Sequence, residues 1–253
     1  MKFTYTEYQK ILSNLLEHGY KFKGYENYCD SDKTVILRHD IDISLDHAIN
    51  VAEIESKFGE SMGEGIKSTY FILVSSDFYN PFSQQSISSI MKIRDLGHSI
   101  GLHFDEKKYF LSDALWSEDV IIEYILLEKA LLEKMVGFNI NIVSMHTPSK
   151  KTLNANLKIP GMINSYSEEF FNEFKYISDS YHRWRENVWD VIAEEPGRLH
   201  LLTHPFWYHN TSYTRAEVFN HYISQGKQNR YDLIEKNVLP PNVTLAQSLA
   251  EDE

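Results

Sequence analysis

In the stretch "VILRHDIDISLDH" (Val35–His47), a buried strand is followed by a helix, and a run of ionisable residues lies between them. The apolar residues 35–37 predict the strand, and the helix is expected to begin near Leu45. Burying an unpaired charged group costs several kcal/mol or more of free energy, so these groups must be paired, hydrated or bound to a metal. The ionisable residues at the strand end are Arg38, His39, Asp40 and Asp42.

The composition limits the partners of the chain. It has 253 residues, of which 42% are hydrophobic, enough for a folded core. Lys and Arg number 25 against 36 Asp and Glu, which gives a net charge of -11. Nucleic acids and anionic membranes attract basic surfaces, so this charge argues against both. The single cysteine, Cys29, leaves no internal disulfide.

The N-terminal residues 1–22 have the spacing of an amphipathic helix and lack the continuous apolar segment of a secretion signal. No run in the sequence is long and apolar enough to span a membrane. These observations predict a cytoplasmic protein without a membrane span.

Short apolar runs alternate with helical patterns along most of the chain. This β-α-β-α order predicts an α/β fold, a distorted (β/α) barrel of about seven parallel strands, with its site at the strand C-termini. No repeat or linker composition interrupts the chain. We therefore predict a single domain over 1–253, with a helical lead-in over 1–33, a barrel core over 34–208 and a helical segment over 209–253.

Side-chain parity sorts the residues of the first strand end. Residues two apart on a strand share a face, so Arg38, Asp40 and Asp42 point to one side and His39 to the other. Two close carboxylates repel each other unless a cation lies between them. A divalent metal on one carboxylate would leave the other free as a base. The alternative is structural: a salt bridge from Arg38 to an aspartate, and a helix cap by Asp42 or Ser44.

Later strand candidates also end in ionisable residues, in "GHSIGLHFD", "VSMHTPS", "YISDS" and "LHLLTHPFW". His103 shares a face with Asp105, and a neutral imidazole beside a carboxylate pair suits Zn²⁺. His98 is expected outside the site, and His200 deeper in the barrel. Several such ends are better explained by one shared site than by separate structural roles. The further candidates for this site are His146, Asp179 and His204.

The ordered set of motifs resembles the polysaccharide deacetylases of the carbohydrate esterase type, a family with the NodB-like homology domain and a distorted (β/α) barrel. "RHDID" looks like the motif that holds a base and a metal-binding aspartate. "GHSIGLHFD" looks like the motif with a metal-binding histidine, and "LLTHP" like the motif with the catalytic histidine. The resemblance covers roughly residues 34–208 and is closest to a branch found around surface-polysaccharide genes.

The resemblance implies a role for each strand-end residue. Asp40 would be the base, and Asp42 and His103 would bind one divalent metal, expected to be Zn²⁺. His204 would be the acid, held in its tautomer by a carboxylate for which Asp179 is the candidate.

The chain departs from the family at two positions. Lys107 stands where a second metal-binding histidine is usual, and His146 stands where an arginine is usual. We expect His146, or less favourably Asp105, to supply the third metal ligand.

The resemblance implies a metal-dependent hydrolase that removes an N-acyl group, expected to be acetyl, from an amino sugar. A nucleotide- or lipid-linked precursor of a surface polysaccharide would suit a cytoplasmic enzyme. Trp184 and Trp207 are expected to stack on sugar faces, with Arg185 nearby for a carboxylate or phosphate; their structural alternative is rim and core packing. Two other functions stay open: hydrolysis of another amide, such as a formylated sugar or a small cyclic amide, and a catalytically silent sugar-binding domain.

Overall fold

The structure is a computed structural model that describes residues 2–109 and 116–250. The chain divides into two compact units, Phe3–Asn210 and Thr211–Glu253. The first unit holds the strands, and the second is helical. The boundary falls close to the predicted start of the C-terminal helical segment at residue 209. That the whole chain forms one domain stays a prediction.

The first unit is an α/β fold built on parallel strands. The strands are β1 (Lys21–Phe22), β2 (Thr34–Ile41), β3 (Ser68–Leu73), β4 (Ser99–Phe104), β5 (Ile142–Met145), β6 (Ile163–Asn164), β7 (Lys175–Ser178) and β8 (Arg198–Thr203). Seven of them lie in the order β6-β5-β4-β3-β2-β8-β7, and the short β1 pairs with β2. They form a curled half-barrel surrounded by helices, which confirms the predicted fold class.

The central strand β2 is buried along its whole length, as is typical of a parallel strand covered on both faces. Its inward-facing Ile36 packs in a cluster with aromatic residues that include Phe71 and Phe170. This cluster fills the interior of the half-barrel. The polar residues at the strand ends therefore stand on a packed, apolar floor.

Helices cover the outer face of the sheet. Those of the first unit are α1 (Tyr5–Glu17), α2 (Leu45–Met62), α3 (Gln84–Asp95), α4 (Glu118–Val136), α5 (Lys150–Asn154), α6 (Glu168–Asn172) and α7 (Val188–Ala193). Apolar side chains of α2, α3 and α4 pack with outward-facing residues of the strands in one core cluster. α2 begins at Leu45, as predicted, and the side chain of Ser44 caps it by accepting a hydrogen bond from the backbone N–H of His47.

A fully buried carboxylate, Glu55 of α2, joins this helix layer to the sheet. Its hydrogen-bonding partners are Tyr8, His39, Ser68 and Tyr70. Burial by itself would raise the pKa of Glu55, but His39 outweighs it and the pKa is lowered to about 2. The other ring nitrogen of His39 lies 2.6 Å from the hydroxyl of Thr203 in β8. This network therefore fixes β2 against β8, two of the strands that carry the candidate site.

The half-barrel is open between β6 and β7, which share no pairing in the part of the chain that the structure describes. Aromatic rings line this seam. The ring centroids of Tyr166 and Phe171 are 5.1 Å apart, and those of Phe171 and Tyr176 are 5.4 Å apart. The opening between the two strands is thus walled by aromatic side chains, at the edge of the sheet where the strands end.

The second unit consists of α8 (Arg215–Asn237) and α9 (Leu245–Ala250). Thr214 and Glu217 form a capping box at the start of α8, each side chain accepting a hydrogen bond from the backbone N–H of the other residue. Among the described helices of both units, none combines the length and the apolarity needed to cross a membrane.

Gly101 of β4 is expected to tolerate no side chain. A Cβ there would lie 2.5 Å from Cε1 of Phe71, which is packed in the interior cluster. Gly101→Ala should therefore lower the free energy of unfolding by about 1–3 kcal/mol, the usual cost of overpacking. Chemical denaturation measures this change.

Gly226→Ala in α8 is the control, because nothing lies within 4 Å of a Cβ there. Alanine is favoured over glycine inside a helix by roughly 0.5–1 kcal/mol, so this variant should be no less stable than the original chain. An unchanged free energy of unfolding for Gly101→Ala would contradict the close approach of Phe71.

Candidate metal centre and its cleft

Six of the predicted site residues come together at the C-terminal edge of the sheet. Asp40 lies in β2 and His103 in β4, and each of the other four directly follows a strand. Because parallel strands end at the same edge, residues far apart in sequence become neighbours here. The six are Asp40, Asp42, His103, His146, Asp179 and His204.

Three of them form a compact group of metal-ligand atoms. Nε2 of His103 lies 3.2 Å from Oδ1 of Asp42 and 3.2 Å from Nδ1 of His146. Nδ1 of His146 lies 3.3 Å from the same Oδ1 of Asp42. A tetrahedral zinc with bonds of about 2.0–2.1 Å has ligand atoms roughly 3.3–3.4 Å apart. The triangle matches one face of such a tetrahedron, and two imidazoles with one carboxylate are a typical zinc donor set.

Two further features fit a cation in this place. Oδ1 of Asp42 is buried, yet no described residue gives it a well-aligned hydrogen bond. Nδ1 of His103 lies 3.2 Å from the hydroxyl of Ser144, which can accept the proton of that nitrogen. This contact leaves Nε2 of His103 as the ring nitrogen with a free lone pair, on the side of Asp42. The residues present therefore fit a divalent metal.

The electrostatics of Asp42 point the same way. Burial alone would raise its pKa, but the neighbouring His103 and His146 outweigh burial and lower the pKa well below the usual value. The carboxylate is therefore ionised at neutral pH, as a metal ligand must be.

The turn after β5 presents His146 to the group. Thr147, the next residue, has a φ of 41°, a left-handed conformation that β-branched residues rarely adopt. Its hydroxyl accepts a hydrogen bond of 2.7 Å from Nζ of Lys107. Lys107 thus supports the turn that carries His146. Asp105 accepts a hydrogen bond from the backbone N–H of Lys107 and lies outside the group of three.

This arrangement gives a prediction that separates the two candidates for the third ligand. His146→Ala should lower zinc affinity by more than the 10–100-fold that loss of an outer-shell partner typically costs, because it removes a donor atom. Asp105→Asn should retain the metal. Titration of each purified variant with zinc by calorimetry measures both. Wild-type affinity in His146→Ala, or metal loss in Asp105→Asn, would contradict the assignment.

Asp40 is held beside this group by Arg38 of the same strand. Nε and Nη2 of Arg38 donate hydrogen bonds of 2.8 Å each to the two oxygens of Asp40. Oδ2 of Asp40 lies 3.5 Å from Nε2 of His103. Burial would raise the pKa of Asp40, but Arg38 outweighs it and the pKa is lowered. The structural alternative thus describes Arg38 and Asp40 correctly, while Asp42 neither pairs with Arg38 nor caps α2.

His204 also lies close to Asp42 and is held by Asp179. Its Nδ1 is 2.6 Å from Oδ1 of the fully buried Asp179, and its backbone N–H also donates to that carboxylate. Its Nε2 is 3.8 Å from Oδ2 of Asp42. Burial would lower the pKa of His204, but Asp179 outweighs it and raises the pKa to about 9. At neutral pH His204 therefore carries a proton on the nitrogen that faces the site.

Five of the six site residues, all except Asp179, line a cleft of about 540 Å³. Of the three residues expected to bind substrate, Arg185 and Trp207 line this cleft. Trp184 does not: it lines a second cavity with Phe3 and residues 182–189. Trp184 and Trp207 therefore line different cavities, and that both stack on sugar faces stays a prediction. The aromatic lining that the sequence analysis missed consists of Tyr166, Phe171, Tyr176 and Tyr181.

Two other histidines lie away from the metal group, as expected. His98 contacts Ser68 and the carbonyl of Ala52 on the outer face of the sheet. His200 is buried in the interior, where its Nε2 lies 2.8 Å from the hydroxyl of Tyr25. Burial lowers the pKa of His200 to about 3, so it stays neutral.

No family model matches the chain, and no curated protein matches it. Solved structures with a similar fold are found. One is the Xyl-CE4 domain of a multidomain xylanase from the hindgut metagenome of Trinervitermes trinervoides, with 16% identity over 85% of this chain and 96% of that one, and a TM-score of 0.41. Another is the Streptococcus pyogenes deacetylase PplD in complex with acetate, with 18% identity over 58% and 65% of the two chains and a TM-score of 0.41.

A third similar structure is BA3943 of Bacillus anthracis, described as a CE4 family pseudoenzyme. It shares 13% identity over 83% of this chain and 65% of that one, with a TM-score of 0.39. Similarities this low do not assign the chain to a family.

Proposed function

We propose that the chain is a metal-dependent hydrolase that removes an N-acyl group, in the first place acetyl, from an amino sugar. The observation that carries this proposal is that two groups suited to proton transfer lie next to the Asp42–His103–His146 triangle. Oδ2 of Asp40 lies 3.5 Å from Nε2 of His103, and Nε2 of His204 lies 3.8 Å from Oδ2 of Asp42.

Hydrolysis of an amide needs help at three points, because the carbonyl is a poor electrophile, water a poor nucleophile and the amine a poor leaving group. A bound divalent metal supplies polarisation of the carbonyl and a lower pKa for water. The chain supplies the proton transfers. Asp40, held ionised by Arg38, accepts the proton of the attacking water.

His204 then serves the leaving group. The carboxylate of Asp179 accepts the proton on Nδ1 and so fixes the ring, and the proton on Nε2 faces the site. Nε2 donates this proton to the departing amine. Without it, the nitrogen would have to leave as an amide anion. An acid in this position suits an amide substrate in particular.

The aromatic cleft suits a sugar ring, whose apolar face stacks on aromatic side chains. A nucleotide- or lipid-linked precursor of a surface polysaccharide, handled in the cytoplasm, is the finer form of the proposal. Hydrolysis of a formylated sugar or of a small cyclic amide needs the same groups at the metal and differs only in the shape of the cleft.

The test is a screen of the zinc-loaded protein against N-acetylated, N-formylated and cyclic amide compounds, with release of acetate, formate or amine as the readout. We expect acetate from at least one acetylated amino sugar, and no turnover after the metal is removed with a chelator. Turnover of the formylated or cyclic compounds alone would mean that the chain is an amide hydrolase with a substrate other than an acetylated sugar. Binding of sugars without any turnover would favour the silent domain.

A further inference from the structure

Arg185 lies on the boundary between two cavities of the first unit. It lines the cleft over the metal group, of about 540 Å³, and also a second cavity of about 460 Å³. Arg185 is the only described residue that lines both; Trp184 lines the second cavity and Tyr181 the first. A molecule that occupied both cavities would pass Arg185 at its middle.

The charge of Arg185 is available to a ligand. No described residue accepts a hydrogen bond from its guanidinium group or forms an ion pair with it. Arg38, by contrast, is committed to Asp40, and Lys107 to Thr147. Arg185 supplies the only guanidinium or ammonium group among the described residues that line the first cleft. Apart from the protonated His204 beside the metal group, an anion that entered there would find its protein counter-charge at Arg185.

The loop from Asp179 to Arg185 is built to hold this arrangement. Tyr181 and His182 have φ values of 61° and 60°, two successive left-handed residues of which neither is glycine. The loop is pinned where the backbone N–H of Arg185 donates to the carbonyl of Ser178, at 3.1 Å. Such strained conformations persist at ligand-binding sites because the surrounding structure enforces them.

The aromatic rings of this loop point to different cavities. The ring of His182 packs against Phe3, with centroids 4.3 Å apart, and against Trp207 at 5.3 Å. Tyr181 stands at the first cleft with 71% of its surface exposed. Trp184 is turned to the second cavity. Each cavity therefore has an aromatic side chain, and Arg185 lies between them.

We propose that the substrate is an amino sugar joined through a phosphate or diphosphate to a bulky group. The sugar occupies the cleft over the metal group, Arg185 binds the phosphate, and the bulky group enters the second cavity beside Trp184. This inference rests on the proposed function and narrows its substrate. A phosphate linkage is favoured over a carboxylate because a carboxylate loses its charge when it is esterified to bridge two groups, whereas a phosphodiester or diphosphate keeps it. Guanidinium groups bind such oxyanions through paired hydrogen bonds.

The test measures binding to the zinc-loaded Asp40→Asn variant, which should hold the metal without turning the probe over. The probes are the neutral methyl glycoside of N-acetylglucosamine, N-acetylglucosamine 1-phosphate, and its uridine diphosphate and prenyl diphosphate conjugates. Adding Arg185→Gln should weaken binding of the three charged probes about tenfold or more, as measured by calorimetry, and change that of the neutral probe less than twofold. Arg230→Gln, on the second unit, is the matched control and should change neither.

Trp184→Ala tests the second cavity. It should weaken binding of one diphosphate conjugate, nucleotide or prenyl, and leave the 1-phosphate unaffected; which conjugate responds identifies the bulky group. Equal effects of Arg185→Gln on charged and neutral probes, or no effect on either, would overturn the assignment of Arg185. Indifference of both conjugates to Trp184→Ala would overturn the second cavity. Hydrolysis of the neutral glycoside by the unmodified protein tests the proposed function separately, and it can succeed where the phosphate inference fails.

Discussion

Replacing His103 with alanine is expected to remove the metal and abolish turnover while leaving the fold intact. Nε2 of His103 lies 3.2 Å from Oδ1 of Asp42 and 3.2 Å from Nδ1 of His146. Its loss would leave only two of the three ligand atoms. Loss of an outer-shell partner alone typically lowers metal affinity 10–100-fold, and loss of a ligand should cost more. Metal content by elemental analysis and far-ultraviolet circular dichroism measure the two parts of this expectation.

His18→Ala is the matched control, since His18 lies at the end of α1 and contacts the backbone of Asn14 instead of the site. It should retain the metal and full activity. If His103→Ala kept about one zinc per chain, His103 would not be a ligand. The triangle would then be a hydrogen-bonded group, and a hydrolytic function would lose its main support.

The strand-end residues could be predicted from the sequence because strand parity and parallel topology leave little freedom. In a parallel half-barrel every strand ends at the same edge, so an ionisable residue at each end has to meet the others. The bidentate pair of Arg38 and Asp40 also follows from parity, since residues two apart lie on one face. The same rule places Ser144 on the face of His146, and it would have found this partner of His103.

The residues around the site were harder to predict, because loops and the open edges of a sheet have no regular spacing of side chains in the sequence. Trp184 lines a different cavity from Trp207, and two successive left-handed residues, Tyr181 and His182, precede it in the loop. Nothing in the composition of this loop signals these conformations, since neither residue is glycine. The aromatic wall was missed because it depends on which two strands fail to pair, β6 and β7, and this is set by the whole topology.

The pH profile of kcat/KM is expected to depend on His204 and Asp40, the two groups proposed to transfer protons. His204 must be protonated to act as an acid, so its contribution is present at low pH and is lost as the pH rises through its folded pKa. Asp179 raises that pKa to about 9, and a bound cation opposes the rise, so the alkaline limb should lie below pH 9. Asp40 must be ionised, and its lowered pKa keeps it so throughout the range near neutrality. Any acidic fall there should instead reflect protons competing with the metal for His146, whose pKa is raised because Asp42 outweighs burial.

His204→Ala and Asp40→Asn should therefore both retain the metal and each lower kcat by about 10²–10⁴-fold, the usual contribution of a general acid or base. They should differ in their pH profiles. His204→Ala should lose the alkaline limb, and Asp40→Asn should keep it, because the acid is still present. The acidic limb should move to lower pH when zinc is raised, since a higher metal concentration outcompetes protons. Profiles of kcat/KM against pH, recorded for each variant at two zinc concentrations, measure both limbs. An alkaline limb that survives in His204→Ala at near wild-type rate would mean that the leaving amine takes its proton from another group, and that the pair of His204 and Asp179 serves only to hold β7 against β8.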